Sequence, residues 1–443
     1  MMANYQILTN TIQNRYSKYK SEFYIAKNLL ENYTKPIALL GTRRTGKTVT
    51  LQQLFATISG VSKQYIRFTK DATKEDLSDL TSSQLILENN YLFIDEITNI
   101  PALDEYLGDF LDGIECLPCK IIMAGTNSLL LTEAIPNSAS GRLNVVNYNP
   151  PNYEDYKNIL GSSFHDFMMG NISFYNGPEY IKDLSRDIYN AMDLIADSNF
   201  SSLEISEDEI YKTLEIIIEQ VMNKSTGLHR NKLLFRKTLY AVKINTKIYD
   251  HIISKEHFEI IISALLKMKL FTLMINEDML DEEEKSMSVY LTTPVLLKGL
   301  LNKYDKIPLS TKEGDIFESI AVTQIMTKLS NTTMRFCKLR ESLGNYEIDF
   351  VIIDETSKNI FFIDFKRSSS KEINISDAVK KVVEDFYKSF KCDYNYFTVY
   401  LVDKDGKDYI GDNKFQIDYF LKNITNILKQ NKNIKTSCFT TTS

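Results

Sequence analysis

The sequence lacks the features that would place the protein in or beyond a membrane. No apolar run among its 443 residues is long enough to span a bilayer. The N-terminal segment MMANYQ is not followed by the apolar core of a signal peptide. The five cysteines are scattered and odd in number, as expected for free thiols in a reducing compartment rather than for a disulfide framework. These absences predict a cytoplasmic protein with no membrane partner.

Histidine and cysteine are too few and too dispersed to indicate a zinc centre. The four histidines form no motif: His165, His229, His251 and His257. Cys116 and Cys119 form a single CxxC pair, with neither a second pair nor a histidine nearby. Because structural zinc takes four ligands, this pair does not predict a zinc site.

Positive charge is scarce over the whole chain but concentrated in one stretch. The 52 Lys and Arg are outnumbered by 58 Asp and Glu, and the net charge of −6 argues against a uniformly basic nucleic-acid binder. Residues Val221–Leu270 nevertheless carry ten basic residues against three acids, and the segment Glu277–Glu284 that follows is strongly acidic. The basic stretch either places a helix on DNA phosphates or forms a solvated lysine-rich face.

The most informative feature that is present is the segment GTRRTGKT, a complete phosphate-binding loop. Its residues are Gly41, Thr42, Arg43, Arg44, Thr45, Gly46, Lys47 and Thr48. A strand-like run, Pro36–Leu40, precedes it and a helix-like run, Val49–Phe55, follows it, as the motif requires. Glycines let backbone N–H groups wrap phosphates, Lys47 is expected to reach the β- and γ-phosphates, and the Thr48 hydroxyl is expected to ligate Mg²⁺. The loop therefore predicts binding of ATP with Mg²⁺.

Two carboxylates stand at the end of the apolar run Tyr91–Asp95. Asp95 is placed to hold the Mg²⁺ shell opposite Thr48, and Glu96 could polarise the attacking water. Solvated acids at a strand end are the alternative. The intact phosphate loop favours the catalytic interpretation, because such carboxylates are part of the phosphoryl-transfer apparatus.

Two further residues are candidates for the same reaction. Asn127, in the run Ala124–Ser128 after the next strand, can sit between the γ-phosphate and the water, or can serve only as a turn residue. Arg142 could stabilise charge on the transferring phosphoryl group, within its own chain or from a neighbouring subunit, or could be a surface arginine.

The pattern of apolar runs predicts several domains, the first of which is a doubly wound α/β domain with a parallel sheet. Its strands are predicted at Pro36–Leu40, Gln64–Phe68, Tyr91–Asp95, Lys120–Ala124 and Leu143–Tyr148, and Thr73 with Glu75 and Asp76 indicates a helix start. Pro150-Pro151 marks a boundary. Helices at 152–220 follow, then short helices and a hairpin whose strands are predicted at Leu270–Ile275 and Ser288–Thr292.

The chain resembles the AAA-type ATPases of bacteria and archaea that carry a C-terminal restriction-endonuclease-like domain. Four segments carry this resemblance: GTRRTGKT, LFIDE, IIMAGTNSLLL and SGRLNVVNYNPPNYEDY. The resemblance covers nearly the whole chain. It implies an ATPase domain at 1–150, a helical lid or connector at 151–224, a winged-helix-like domain at 225–305, a restriction-endonuclease-like domain at 306–430 and a flexible tail at 431–443.

The C-terminal segments Tyr346–Val351 and Phe362–Lys366 resemble the D…(D/E)xK pattern of such nucleases. Strand alternation puts Asp364 and Lys366 on one face, and a hairpin can bring Asp349 beside them. Two carboxylates would hold Mg²⁺, and the lysine would orient a water. The resemblance also implies Glu318 as an extra acid, because such folds place one on their first helix. Alternatively, Lys366 forms a buried ion pair left over from a dead nuclease, because a lone buried carboxylate is costly.

These features predict an Mg²⁺-dependent ATP-binding and ATP-hydrolysing switch. Its output would be DNA binding, through 221–270 and the C-terminal domain, and Mg²⁺-dependent DNA cleavage. The alternative is a nucleotide-gated protein-interaction module with a non-cutting nuclease-like domain, whose partner is another protein or a second copy of this chain.

Overall fold

The structure is a computed structural model that forms two compact units. It describes residues 4–12, 18–115, 117–135, 141–150, 152–161, 163–168, 177–190, 205–222, 232–233, 261, 263–278, 287–292, 294, 313–330, 332–340, 347–366, 395–402, 409–411 and 414–430. The first unit contains Met1–Gly161, Ser173–Leu214 and Glu256–Leu270, and the second contains Ser162–Ile172, Glu215–Lys255 and Phe271–Ser443.

The first unit is built on a six-stranded sheet with the spatial order β1-β3-β4-β5-β2-β6. Its strands are β1 Tyr5–Ile7, β2 Ile37–Leu40, β3 Lys63–Phe68, β4 Tyr91–Asp95, β5 Lys120–Ala124 and β6 Asn144–Asn147. Neighbours pair in parallel, except that β1 runs antiparallel to β3. The mostly parallel α/β sheet is confirmed, with strand ends within one residue of the prediction. Only β1 was not predicted.

Both faces of this sheet are covered at its central strands, which explains why β2, β4 and β5 are largely apolar. In β2, Ala38 and Leu40 pack into one hydrophobic core, whereas Ile37 and Leu39 pack into another. Successive side chains of a strand point to opposite faces, so β2, β3, β4 and β5 contribute to both cores.

Helices surround the sheet. Those of the N-terminal part are α1 Ser21–Asn32, α2 Lys47–Thr57, α3 Lys74–Thr81, α4 Gln84–Leu87, α5 Leu103–Ile114, α6 Ser128–Ala134 and α7 Tyr153–Leu160. The helix start predicted at Thr73 is present, because the Thr73 N–H donates to Asp76 Oδ2 at 2.8 Å. After α8 Phe164–Met168, which belongs to the second unit, come α9 Gly177–Tyr189 of the first unit and α10 Glu207–Met222. The residues of α10 from Glu215 onward belong to the second unit.

The first glycine of the phosphate loop is required by a close backbone approach. A Cβ at Gly41 would overlap the carbonyl oxygen of Tyr148 and lie 2.7 Å from the Tyr148 Cβ. The Tyr148 N–H donates to the carbonyl of Leu40 in the same region, so the two backbone segments are held together. Any larger residue at position 41 would have to push the end of β2 away from the segment after β6.

The second unit contains a nine-stranded sheet with the order β14-β15-β13-β12-β11-β10-β8-β9-β7. Its strands are β7 Lys232–Leu233, β8 Phe271–Asp278, β9 Met287–Leu291, β10 Arg335–Arg340, β11 Glu347–Asp354, β12 Asn359–Lys366, β13 Asn395–Val402, β14 Tyr409–Gly411 and β15 Lys414–Gln416. Strands β8 and β9 form an antiparallel hairpin. Strand β8 also pairs in parallel with β10. The predicted winged-helix strands therefore belong to the same sheet as the predicted nuclease-like strands, while the boundary at 305 stays a prediction.

Two helices of the second unit pack near this sheet, α11 Glu313–Lys328 and α12 Ile417–Gln430. Most of 225–260 and the predicted tail at 431–443 lie outside the described residues. Among the helices that the structure describes, none combines the length and the apolar character needed to cross a membrane.

Candidate functional site

The phosphate-binding loop lies at the carboxyl edge of the first sheet. It follows β2, whose neighbour is β5, and β4 lies on the far side of β5. Parallel strands end at the same edge, so Gly41–Thr48, Asp95–Glu96 and Thr126–Asn127 come from three strand ends that lie close together. The fold thus gathers most of the predicted ATPase residues at one place.

Lys47 is buried at the start of α2, and its ammonium group is turned back into the loop. Its Nζ donates to the carbonyl oxygen of Thr42 at 2.8 Å and to that of Gly41 at 2.5 Å. Burial lowers the pKa of Lys47 to about 8, although the nearby carboxylates of Asp187 and Glu96 oppose this shift. A phosphate oxygen that contacted this desolvated ammonium would interact with it more strongly than in water.

Asp95 is held beside the loop by a network of hydrogen bonds. Its Oδ1 accepts from the Thr48 hydroxyl at 3.0 Å, while Oδ2 accepts from the Tyr65 hydroxyl at 3.0 Å and from the Arg67 guanidinium at 2.7 Å. Asp95 is 1% exposed. The Thr48 and Asp95 oxygens form the kind of donor set that Mg²⁺ prefers. Tyr65 and Arg67 were not predicted, because nothing in β3 alone marks them as partners of a carboxylate on β4.

Glu96 occupies a backbone conformation that is unfavourable for this residue type. Its φ is +58°, in the left-handed region. The Thr126 hydroxyl, at the end of the neighbouring strand β5, donates to Glu96 Oε2. A strained non-glycine residue at the edge of a sheet, next to a phosphate loop, is typical of a functional position.

Asn127 is used at both ends of its side chain. Its Oδ1 accepts from the N–H groups of Leu129 at 3.2 Å and Leu130 at 3.4 Å, so it caps α6. Its Nδ2 donates to the carbonyl oxygen of Asp187 in α9 at 3.1 Å. Capping agrees with the turn-residue interpretation, and a role in sensing the γ-phosphate stays a prediction.

The two arginines of the loop form ion pairs with α9. Arg43 Nε lies 2.9 Å from both carboxylate oxygens of Asp187, and its NH2 group lies 2.7 Å from Oδ1. Arg44 NH2 lies 3.5 Å from Asp183 Oδ2. Burial raises the pKa of Asp187 to about 6, with Arg43 opposing the shift, so this carboxylate is ionised at neutral pH.

Sequence reasoning missed Asp183 and Asp187. They lie four residues apart, which places both on one face of α9. That spacing was the available signal, but it is common on solvated helices and does not indicate a partner in the loop.

Arg142 lies at the other edge of the sheet. The strand that follows it, β6, starts at Asn144, which pairs with Ile37, the first residue of β2, whereas the loop follows the last residue of β2. The Arg142 guanidinium lies 3.2 Å from Asp112 Oδ1 and donates to the Gly108 carbonyl at 3.4 Å. The structure therefore does not bring Arg142 to the loop of its own chain, and a contribution from a neighbouring subunit stays a prediction.

A small open pocket lies beside the loop. Gly41, Thr42 and Asn149 line it together with Lys267 and Lys269. Two of the ten basic residues of 221–270 thus lie beside the phosphate loop, and most of that stretch lies outside the described residues.

In the second unit, Asp349 and Asp364 lie on neighbouring strands. The pairing of Phe350 with Ile363 between β11 and β12, extended by one residue, sets Asp349 opposite Asp364 on the same face. Asp349 Oδ2 accepts from the Phe365 N–H at 3.3 Å. Lys366 ends β12.

Glu318 is engaged elsewhere. Its Oε1 lies 2.9 Å from Lys338 Nζ, and both side chains are buried, Glu318 on α11 and Lys338 on β10. Within the part of the chain that the structure describes, no group of three or more His, Cys, Asp or Glu is arranged to hold a metal ion. The predicted set of Glu318, Asp349 and Asp364 therefore does not come together as a metal site in this structure.

Residues 33–157 match the family model of the AAA domain. This segment spans the phosphate loop and the carboxylates and amide that lie near it. It supports a nucleotide-binding domain of the AAA P-loop type in this part of the chain. The match covers less than half of the 443 residues.

Several solved structures are similar to parts of the chain at low identity. AMPPCP-bound DnaA from Aquifex aeolicus is 18% identical, with 48% of this chain and 75% of that chain covered and a TM-score of 0.26. The Aeropyrum pernix Orc1 protein in complex with DNA is 11% identical, with 67% and 97% covered and a TM-score of 0.27. The Thermotoga maritima RuvB Holliday junction branch migration motor is 15% identical, with 57% and 70% covered and a TM-score of 0.22. TM-scores this low do not establish a common overall fold. A comparison with curated proteins gave no match.

Proposed function

We propose that the first unit binds ATP with Mg²⁺ and hydrolyses it. The observation that carries this proposal is the 3.0 Å contact between the Thr48 hydroxyl and Asp95, at the end of a loop that also holds the buried ammonium of Lys47. A hydroxyl at the start of α2 and a carboxylate at the end of β4, next to a loop of backbone N–H groups, form the arrangement that phosphoryl transfer requires.

Each residue has a physical role in this proposal. Lys47 leaves the carbonyls of Gly41 and Thr42 and contacts the β- and γ-phosphates. Thr48 and Asp95 would hold Mg²⁺, which would neutralise phosphate charge. Glu96 accepts a proton from the attacking water, and its contact with Thr126 fixes the direction of its carboxylate.

Equilibrium binding and steady-state hydrolysis of ATP by the full chain with Mg²⁺ test the proposal. We expect binding and slow turnover, as in a switch. A chain that binds no nucleotide under these conditions would contradict it.

Nucleotide affinity should depend on pH because of Lys47. Its pKa is lowered to about 8 by burial. A phosphate that contacts the ammonium favours the protonated form of Lys47. The affinity for ATP is therefore highest below this pKa and falls as the pH rises through it. Between pH 7.5 and 9 we expect the Kd for ATP to rise by about eightfold. This is the factor by which the protonated fraction of Lys47 in the nucleotide-free protein falls between the two pH values. Titration calorimetry at both values measures it.

The matched control for pH is Lys47→Arg. A guanidinium stays charged throughout this range, so the variant should bind with little pH dependence whatever its absolute affinity. An equal pH dependence in wild type and variant would show that another group is responsible.

We further propose that the second unit is the output of this switch and acts on DNA. The juxtaposition of Asp349 and Asp364 on β11 and β12 supports Mg²⁺-dependent cleavage, with Lys366 at the end of the same strand. The buried pair of Glu318 and Lys338 favours the alternative, a nucleotide-gated protein-interaction module that does not cut.

DNA cleavage with Mg²⁺ or Mn²⁺ separates the two outputs. If the unit cuts, Asp349→Ala should reduce cleavage by about 100-fold or more, because one metal ligand is lost. Glu355→Gln is the matched control, since Glu355 is an exposed acid of the same unit that pairs with Arg335 at 3.0 Å. If the wild-type protein neither cleaves DNA nor retains it at low salt, action on DNA is contradicted. The protein-interaction module is then the favoured output.

A further inference from the structure

The last turns of α9 carry two acids that engage the phosphate loop. Asp187 is 2% exposed and contacts the Arg43 guanidinium with both carboxylate oxygens. One turn earlier, Asp183 lies 3.5 Å from Arg44 and also pairs with Arg186 of its own helix. The loop's two arginines are therefore both directed at one helix that lies far from them in sequence.

The Asp187 carboxylate resembles a phosphate in the way that it is held. A planar guanidinium binds two oxygens of a carboxylate or of a phosphate with the same fork of N–H donors. Asp187 is also the carboxylate that acts most strongly on the Lys47 ammonium. Loop cations that would face a polyphosphate thus already face an anion supplied by the chain.

The same residue reaches the neighbouring strand end through its backbone. The Asp187 carbonyl accepts from the Asn127 amide at 3.1 Å. Arg43 and Asn127, both predicted to serve the nucleotide, are therefore tied to a single turn of α9. If either side chain turned toward a phosphate, it would have to break its contact with that turn.

We propose that α9 is an internal anionic latch, in which Asp187, assisted by Asp183, competes with the polyphosphate of a nucleotide for Arg43 and Arg44. The latch rests on the proposed function, that the loop binds ATP. A triphosphate placed in the loop repels the buried Asp187 carboxylate while it attracts the arginines, so nucleotide binding loosens α9. Asp187 is then a positioning residue that lowers the affinity for nucleotide. Through Asp187, binding of nucleotide to the loop also changes the contacts of α9.

Equilibrium binding of a fluorescent ATP analogue to the full chain with Mg²⁺ tests the competition. Asp187→Asn removes the charge and keeps the shape, and we expect it to bind the analogue about tenfold more tightly. Asp183→Asn should have a smaller effect, because its contact with Arg44 is longer. Asp208→Asn is the matched control, since Asp208 is an exposed acid on α10 that pairs with Lys212 and touches no loop residue in the contacts described.

Hydrogen exchange of residues 177–189 gives a second measurement, whose main result comes from the wild-type protein. In wild type, ATP should increase exchange in α9, because the latch opens. In Asp187→Asn, exchange should already be high without nucleotide. If the variant folds poorly, the effect of ATP on exchange in the wild-type protein still tests the latch.

The outcomes separate the two proposals. If wild type binds ATP but Asp187→Asn, folded by circular dichroism, binds it no more tightly, the latch is wrong and the proposed function stands. The latch is equally wrong if ATP protects α9 from exchange in wild type. If neither protein binds ATP, the proposed function fails and the latch fails with it.

Discussion

Replacing Lys47 by alanine is expected to weaken ATP binding by about 100-fold, about 3 kcal/mol, and to abolish measurable hydrolysis. The ammonium is desolvated and lies inside the loop, where its attraction to the β- and γ-phosphates is not weakened by water. Alanine leaves the carbonyls of Gly41 and Thr42 without this donor but also removes a buried charge. We therefore expect the melting temperature of the nucleotide-free protein to change little, which calorimetry measures together with binding.

The chain offers a closely matched control in Lys63. Its Nζ donates to the carbonyls of Phe55 and Ile58 at the other end of α2, so it also satisfies backbone carbonyls with a partly buried ammonium. Burial lowers the pKa of Lys63 as it does for Lys47. Lys63→Ala should leave ATP affinity unchanged. Equal affinity of wild type and Lys47→Ala would contradict the assignment of the loop.

Replacing Glu96 by glutamine is expected to reduce the rate of ATP hydrolysis by about 100-fold or more while ATP affinity is kept. An amide of the same shape cannot take the proton of the attacking water, yet its oxygen can still accept from the Thr126 hydroxyl. The left-handed backbone at position 96 is no worse for Gln than for Glu. Steady-state turnover and equilibrium binding, measured on the same preparation, separate the two effects.

Glu88→Gln is the control for this substitution, because Glu88 is an exposed acid after α4 and away from the carboxyl edge of the sheet. It should hydrolyse ATP at the wild-type rate. If Glu96→Gln turned over ATP normally, another group would have to activate the water. A parallel loss of affinity and turnover would instead indicate that Glu96 supports the loop or the metal rather than the water.

The local part of the site could be predicted from the sequence. The residues Gly41–Thr48 and the strand Tyr91–Asp95 lie where their patterns predict, because each pattern reports a local property. A glycine-rich turn between a strand and a helix is set by neighbours in the chain. The apolar run Tyr91–Ile94 is set by burial on both faces of a sheet.

Contacts between distant segments were not predictable in the same way. Asp187 reaches Arg43 across 144 residues, and Thr48 reaches Asp95 across 47. The second pair was predicted because a phosphate-loop enzyme needs it, and the first was missed because no motif requires it. Similarly, the pairing of β8 with β10 depends on the register of strands far apart in sequence.

The phosphate-binding loop and the mostly parallel α/β sheet follow from the sequence, since motif spacing and apolar runs act over short distances. The partner of each charged side chain follows instead from the three-dimensional packing of the chain. This packing paired Arg43 with Asp187, turned Arg142 to the opposite edge of the sheet and engaged Glu318 with Lys338. The physical reason is that a buried charge takes the partner that packing brings within about 4 Å, and packing is a property of the whole fold.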